Sequence, residues 1–172
     1  MAKDIKQRPF ALLGHRTIKS LLNEEAFSDD QPLELVVAPA LPKVSGEHEG
    51  KKVIVFSMTI MIARAGTTKK PTGSPPLFSL EDTALGVTVE AGYSAREDAH
   101  DGDMKAFAAM FPYAVATAFQ ATRAAAQVLA LESGFDASYI PQEVDESEFF
   151  KQAGSEKPKT PKSKKAKASD EG

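Results

Sequence analysis

At 172 residues the chain is long enough for one domain with a substantial core and too short for two ordinary ones. It contains no cysteine, which excludes disulfides and thiolate metal sites and suits a reducing compartment. The formal charge of −3 is unevenly placed: residues 155–172 hold six lysines against three acids, or +3, leaving −6 for residues 1–154.

That basic tail has two prolines and no large apolar residue, so it cannot offset its ordering entropy by burial. The expected organisation is a folded domain over 1–154 followed by a disordered, lysine-rich tail over 155–172. A solubilising role suits so short a lysine run better than nucleic-acid binding. No run approaches the ~18 apolar residues of a membrane span, and MAKDIKQR is not followed by a signal-peptide apolar region, so a cytosolic chain is expected.

In chain order, Arg8 to Leu22 mixes apolar and basic residues and predicts a strand. Leu33, Leu35 and Val37 alternate along LELVVA as a short strand, which Pro39 and Pro42 end or confine to an edge. SGEHEGKK predicts a polar hairpin connection, with Gly46 and Gly50 as its turn residues. The clearest strand is Val53 to Ile62: Ile54, Phe56, Met58, Ile60 and Ile62 form one uniformly apolar face, opposite a half-apolar one. Such a strand is expected to be sandwiched by helices or another sheet. Residues 64–76 read as a long flexible connection. Thr83 to Tyr93 alternates again, with Leu85, Val87, Val89, Ala91 and Tyr93 inward and Gly86, Thr88, Glu90 and Gly92 on an expected solvated side.

Met104 to Ser133 is rich in helix formers, with Asp103 as a plausible N-cap, Gly134 placed for a left-handed C-terminal cap, and Pro112 restarting the helix in its first turn. Tyr113, Ala116, Phe119 or Gln120, Arg123, Gln127 and Ala130 fall near one face; Val115, Ala118, Thr122, Ala125, Leu129 and Glu132 fall near another. Neither is strongly polar, so the helix is expected to bury one face in the core and another against a subunit. Asp145 could cap a last short helix holding Ser147, Phe149 and Phe150. Strands first and helices last imply an α+β domain, its helices gathered on one face of an antiparallel sheet.

The chemistry-bearing residues form no constellation. His15, His48 and His100 sit apart in the sequence, phosphate-binding loops and the nucleophile elbow are missing, and Glu97, Asp98, Asp101 and Asp103 lack EF-hand spacing. The expectation is a protein that is not an enzyme and takes no cofactor. What stands out is apolar surplus: methionines and aromatics beyond what one sheet face and two helices need, which suits repacking around varied polypeptides.

Met110-Phe111-Pro112-Tyr113-Ala114, opening a helix directly after the strands, is similar to the Leu-Phe-Pro-Tyr-Ala signature of the SecB family of export chaperones. Phe27 to Pro32, FSDDQP, resembles that family's Phe-x-x-Asp-Trp-Gln-Pro, one residue shorter and without the Trp. Thr83-Ala84-Leu85 through Gly92-Tyr93-Ser94 resembles its third long strand. Gly134-Phe135, Ile140-Pro141, Val144-Asp145 and Phe149 resemble its closing element. The resemblance spans roughly residues 16–150.

It implies a four-stranded antiparallel sheet with C-terminal helices packed on one face, assembled as a homotetramer, a dimer of dimers. It also implies ATP-independent holding of unfolded or late-folding clients in an apolar groove, for protein export and translocation. The residues expected to contact clients are Ile54, Phe56, Met58, Ile60, Tyr93, Phe111, Tyr113 and Phe119. Acidic docking of the SecA translocation motor would fall to Asp29, Asp30 and Glu90. The family's motor-docking glutamate aligns with Thr88, and the lysine-rich tail is a poor partner for the motor's basic tail. Relatives that serve as dedicated chaperones of an antitoxin in toxin–antitoxin systems supply an alternative, as does a scaffolding subunit with one permanent partner.

Overall fold

The computed structural model describes residues 10–27, 32–67, 78–95, 104–108 and 110–143. Among these residues five strands, β1 (Phe10–Leu22), β2 (Leu33–Pro39), β3 (Lys43–His48), β4 (Lys51–Arg64) and β5 (Thr83–Ala95), precede two helices, α1 (Met104–Ala108) and α2 (Phe111–Ser133). The architecture is α+β, as the order of elements in the sequence implies. The sheet runs β1-β5-β4-β2, and every pairing is antiparallel.

β3 is the strand that the sequence reading lacked. Most of the polar stretch taken for a connection is itself paired: Lys43 lies opposite Val55 and His48 opposite Lys51. The true turn is Glu49-Gly50, both left-handed with φ of 52° and 74°, the backbone that a two-residue hairpin needs to match the twist of its strands. β2 pairs with β4 from Met58 to Arg64 and β3 from Lys51 to Val55, so the two share one edge position. Among the described residues the sheet is thus at most four strands wide.

Register explains the core. Ile54 faces Tyr93, Phe56 faces Ala91, and Ile60 faces Val87, so the even residues of β4 and the odd residues of β5 lie on one side of the sheet. α2 lies over β5, β4 and β1 on that side. It starts after Met110, which supplies no side-chain cap, with Pro112 in its first turn where a missing N–H costs nothing. It stops at Gly134, φ 73°, where the Gly134 and Phe135 amides donate to the Leu131 and Ala130 carbonyls. Ala114, Ala118, Thr122, Ala126 and Ala130, at four-residue spacing, are buried with Val115 and Phe119. These small side chains let the helix backbone approach the sheet, and the buried Thr122 hydroxyl donates to the Ala118 carbonyl at 2.7 Å. The buried stripe falls between the two faces read from the sequence, because alanine on all sides leaves the helical phase unmarked.

The other side of the sheet corrects the expectation of a solvated face on β5. Thr59 and Thr88 are fully buried there and share a hydrogen bond of 2.8 Å. Gly86 lies beneath Phe78, whose ring atoms would come within 2.9 Å of an added Cβ. Leaving one threonine hydroxyl unpaired carries a desolvation penalty, whereas removing both need not. Thr88→Val is therefore expected to cost about 1–3 kcal/mol and the Thr59→Val/Thr88→Val double variant markedly less, as read from urea midpoints of the single and double variants.

Asp103, proposed as a cap, and Asp145 with the final helix lie outside the described residues, as does the tail at 155–172. Directly after α2 the chain forms a 3₁₀ turn, Ala137–Tyr139, where the Asp136 carboxylate accepts from the Ser138 amide at 2.9 Å. Those hydrogen bonds from Ser138 hold the Asp136 carboxyl below its ordinary value.

Candidate functional site

Of the eight residues expected to meet a client, six are interior. Ile54, Phe56, Met58, Ile60 and Tyr93 are 0% exposed and Phe119 is 1% exposed. The uniformly apolar face of β4 is where α2 packs, so these side chains hold helix to sheet and reach no surface in this chain. Phe111 and Tyr113 are half-buried at the start of α2. The Phe111 ring stands edge-on to Phe56, centroids 5.2 Å apart, a favoured aromatic geometry.

The Tyr93 hydroxyl is enclosed without a hydrogen bond of good geometry. Burial pushes its pKa up to about 12; the nearby Thr117 side chain acts against this, and Tyr113 adds a little to it. Asp29 and Asp30 lie outside the described residues. Glu90 is engaged: Arg16 on the neighbouring strand donates to its carboxylate at 2.9 Å, with the Glu90 side chain 16% exposed and that of Arg16 76%.

The apolar surface lies elsewhere, in three places, of which the sequence reading anticipated only a second face on the long helix. β1 is exposed from Leu12 to Ser20. Its pairing with β5 skips Leu13 and Ile18, and these two bulged residues remain 46% and 36% exposed. A bulge frees a side chain from the ladder and twists the edge. The available signal was Leu12-Leu13, which breaks the alternation of a strand.

The second place is the opposite edge. Leu35 lies opposite Ile62 and Val44 opposite Ile54, hence on the α2 side of the sheet, beyond the strands that α2 covers. Leu35 and Val44 are exposed there, as is Leu41 in the connection between them. The third is the outward side of α2 and the turn after it, with Val128, Leu131 and Tyr139 all more than half exposed. A cleft of about 670 Å³ between Leu22, Ala26, Arg64 and Leu80 lies at one end of the sheet.

Among the described residues no group of three or more His, Cys, Asp or Glu side chains is placed to hold a metal ion. No helix among them is long and apolar enough to cross a membrane. This arrangement can offer apolar contact and backbone pairing.

No family model matches the sequence, and no curated protein matches it. A solved structure does. The chain is similar to the Mycobacterium tuberculosis SecB-like chaperone Rv1957 in complex with a ChAD peptide from the Rv1956 HigA1 antitoxin. The two are 12% identical with a TM-score of 0.46, over 80% of this chain and 89% of that one.

Proposed function

We propose that this chain is a non-catalytic, ATP-independent holdase of the cytosol that captures unfolded or late-folding polypeptides on apolar surface. The observation that carries the reading is the set of large apolar side chains left exposed along both sheet edges and the outer side of α2, from Leu12 and Leu13 to Leu35, Val44, Val128 and Leu131. Exposed apolar side chains scattered singly need no explanation; runs of them along edges and one helix face favour interaction. Burying one such side chain contributes about 1.5–3 kcal/mol, so several weak contacts suffice for capture after entropy costs.

Two of these surfaces suit copies of the chain itself. Among the described residues no strand pairs with the long outer edge of β1, and the outward side of α2 carries Ala124, Val128 and Leu131. A homotetramer built as a dimer of dimers would cover both and leave the β2 and β3 edge for clients, together with Phe111 and Tyr113.

The dedicated chaperone of an antitoxin is the second reading, and one observation favours it over export. Glu90, one of the three acids to which SecA docking would fall, already spends its carboxylate on Arg16.

The deciding measurement is aggregation of a chemically unfolded client without nucleotide. Suppression at a modest excess of this protein is expected, and undiminished aggregation at large excess would sink the holdase reading. Native mass gives the assembly, and titration with SecA against an antitoxin segment separates the two roles.

A further inference from the structure

β2 is the outermost strand beside β4, and among the described residues no strand pairs with its outer edge. From Leu33 to Ala38 alternate backbone N–H and C=O groups therefore point away from the sheet, a ready template for another strand. Both ends of this stretch are closed. Pro39 has no amide to offer, and the Pro32 carbonyl is tied to the Ala65 amide at 2.8 Å.

Side chains on the two faces of this edge differ in what they lack. Leu35, on the α2 side, is 42% exposed. Glu34, opposite Ala63, points to the other side. Its Oε1 is shut off from solvent and accepts no hydrogen bond, an arrangement that leaves a carboxylate oxygen short of a donor.

We propose that the β2 edge takes an extended client segment as an added strand, with an apolar side chain laid on Leu35 and the next residue, a lysine or arginine, donating to Glu34. Neighbouring residues of a strand point to opposite faces, so in an antiparallel addition, the orientation of every pair in this sheet, the recognised signature is an apolar residue followed by a cation, in a backbone ladder that tolerates any other side chains. A second copy of β2 fits less well, because LELVVAP brings another glutamate and no donor side chain. This rests on the holdase reading and names what that site would select.

The test uses the full chain and a labelled peptide of about ten residues, threonine-rich with one central leucine–lysine pair, long enough to cover the edge. Two further versions carry N-methyl groups on alternate residues, in one phase or the other; a fourth has norleucine for lysine. Methylation in one phase is expected to weaken binding about tenfold or more while the other phase binds as the parent does. Glu34→Gln is expected to weaken the lysine peptide by about fivefold or more and leave the norleucine peptide unchanged.

Equal binding of both methylated phases, or of both peptides to Glu34→Gln and the unaltered protein, overturns the proposal. So does protection of the β2 amides from exchange by raised protein concentration alone, which would assign the edge to a second copy. If aggregation suppression survives in any of these cases, the holdase reading stands without this binding mode. If the unaltered protein neither suppresses aggregation nor binds peptide, both fall.

Discussion

Phe56→Ala is expected to destabilise the domain by about 3–5 kcal/mol, the range for truncating a fully buried aromatic. Phe56 is 0% exposed in the middle of β4 and stands edge-on to Phe111 at the start of α2. Truncation would remove that ring contact and leave a cavity between helix and sheet that the neighbouring side chains fill only in part. Urea denaturation followed by far-UV circular dichroism should show a lower midpoint with a similar slope. The same variant tests the site reading. A protein that keeps its midpoint yet loses client capture would place Phe56 on a binding surface. One that loses stability while the residual folded fraction still captures client places it in the core.

Tyr93→Phe is expected to change how the protein responds to alkali. The phenol is enclosed between β5 and α2, and burial raises its pKa from the ordinary 10.0 to about 12. A raised folded-state pKa means that folding favours the protonated form. Its contribution is complete below pH 10, declines as the unfolded chain ionises above that, and is lost as pH rises through about 12. Urea midpoints measured from pH 8 to 12 should therefore fall steeply in the upper part of the range for the unaltered protein. They should fall less for Tyr93→Phe. At neutral pH the variant is expected to be equal or about 1 kcal/mol more stable, since it sheds a buried hydroxyl without a good partner. A parallel decline in both proteins would show that other groups govern alkaline unfolding.

Glu90 and Arg16 carry a smaller expectation. Arg16 is largely exposed, so the ion pair contributes about 0–1 kcal/mol.

The sequence by itself determined the α+β class, the course of β2, β4 and β5, and the restart and stop of the long helix. These follow from local chemistry. Alternation marks a strand, proline lacks an amide and so suits a first turn, and glycine takes the left-handed cap that other residues resist. β3 escaped because Val44 is its one apolar side chain and all six residues are exposed; its pairing to β4 is held by backbone bonds that leave no hydrophobic pattern. Tertiary structure alone decided what lies against each apolar face. The alternation of Ile54, Phe56, Met58 and Ile60 shows that these residues avoid water, but it is the same pattern whether the cover is α2 of the same chain or a foreign polypeptide. Burial energy depends on area removed from water and not on whose atoms remove it, so a client surface and a core face read alike until the helix is seen on top of one of them.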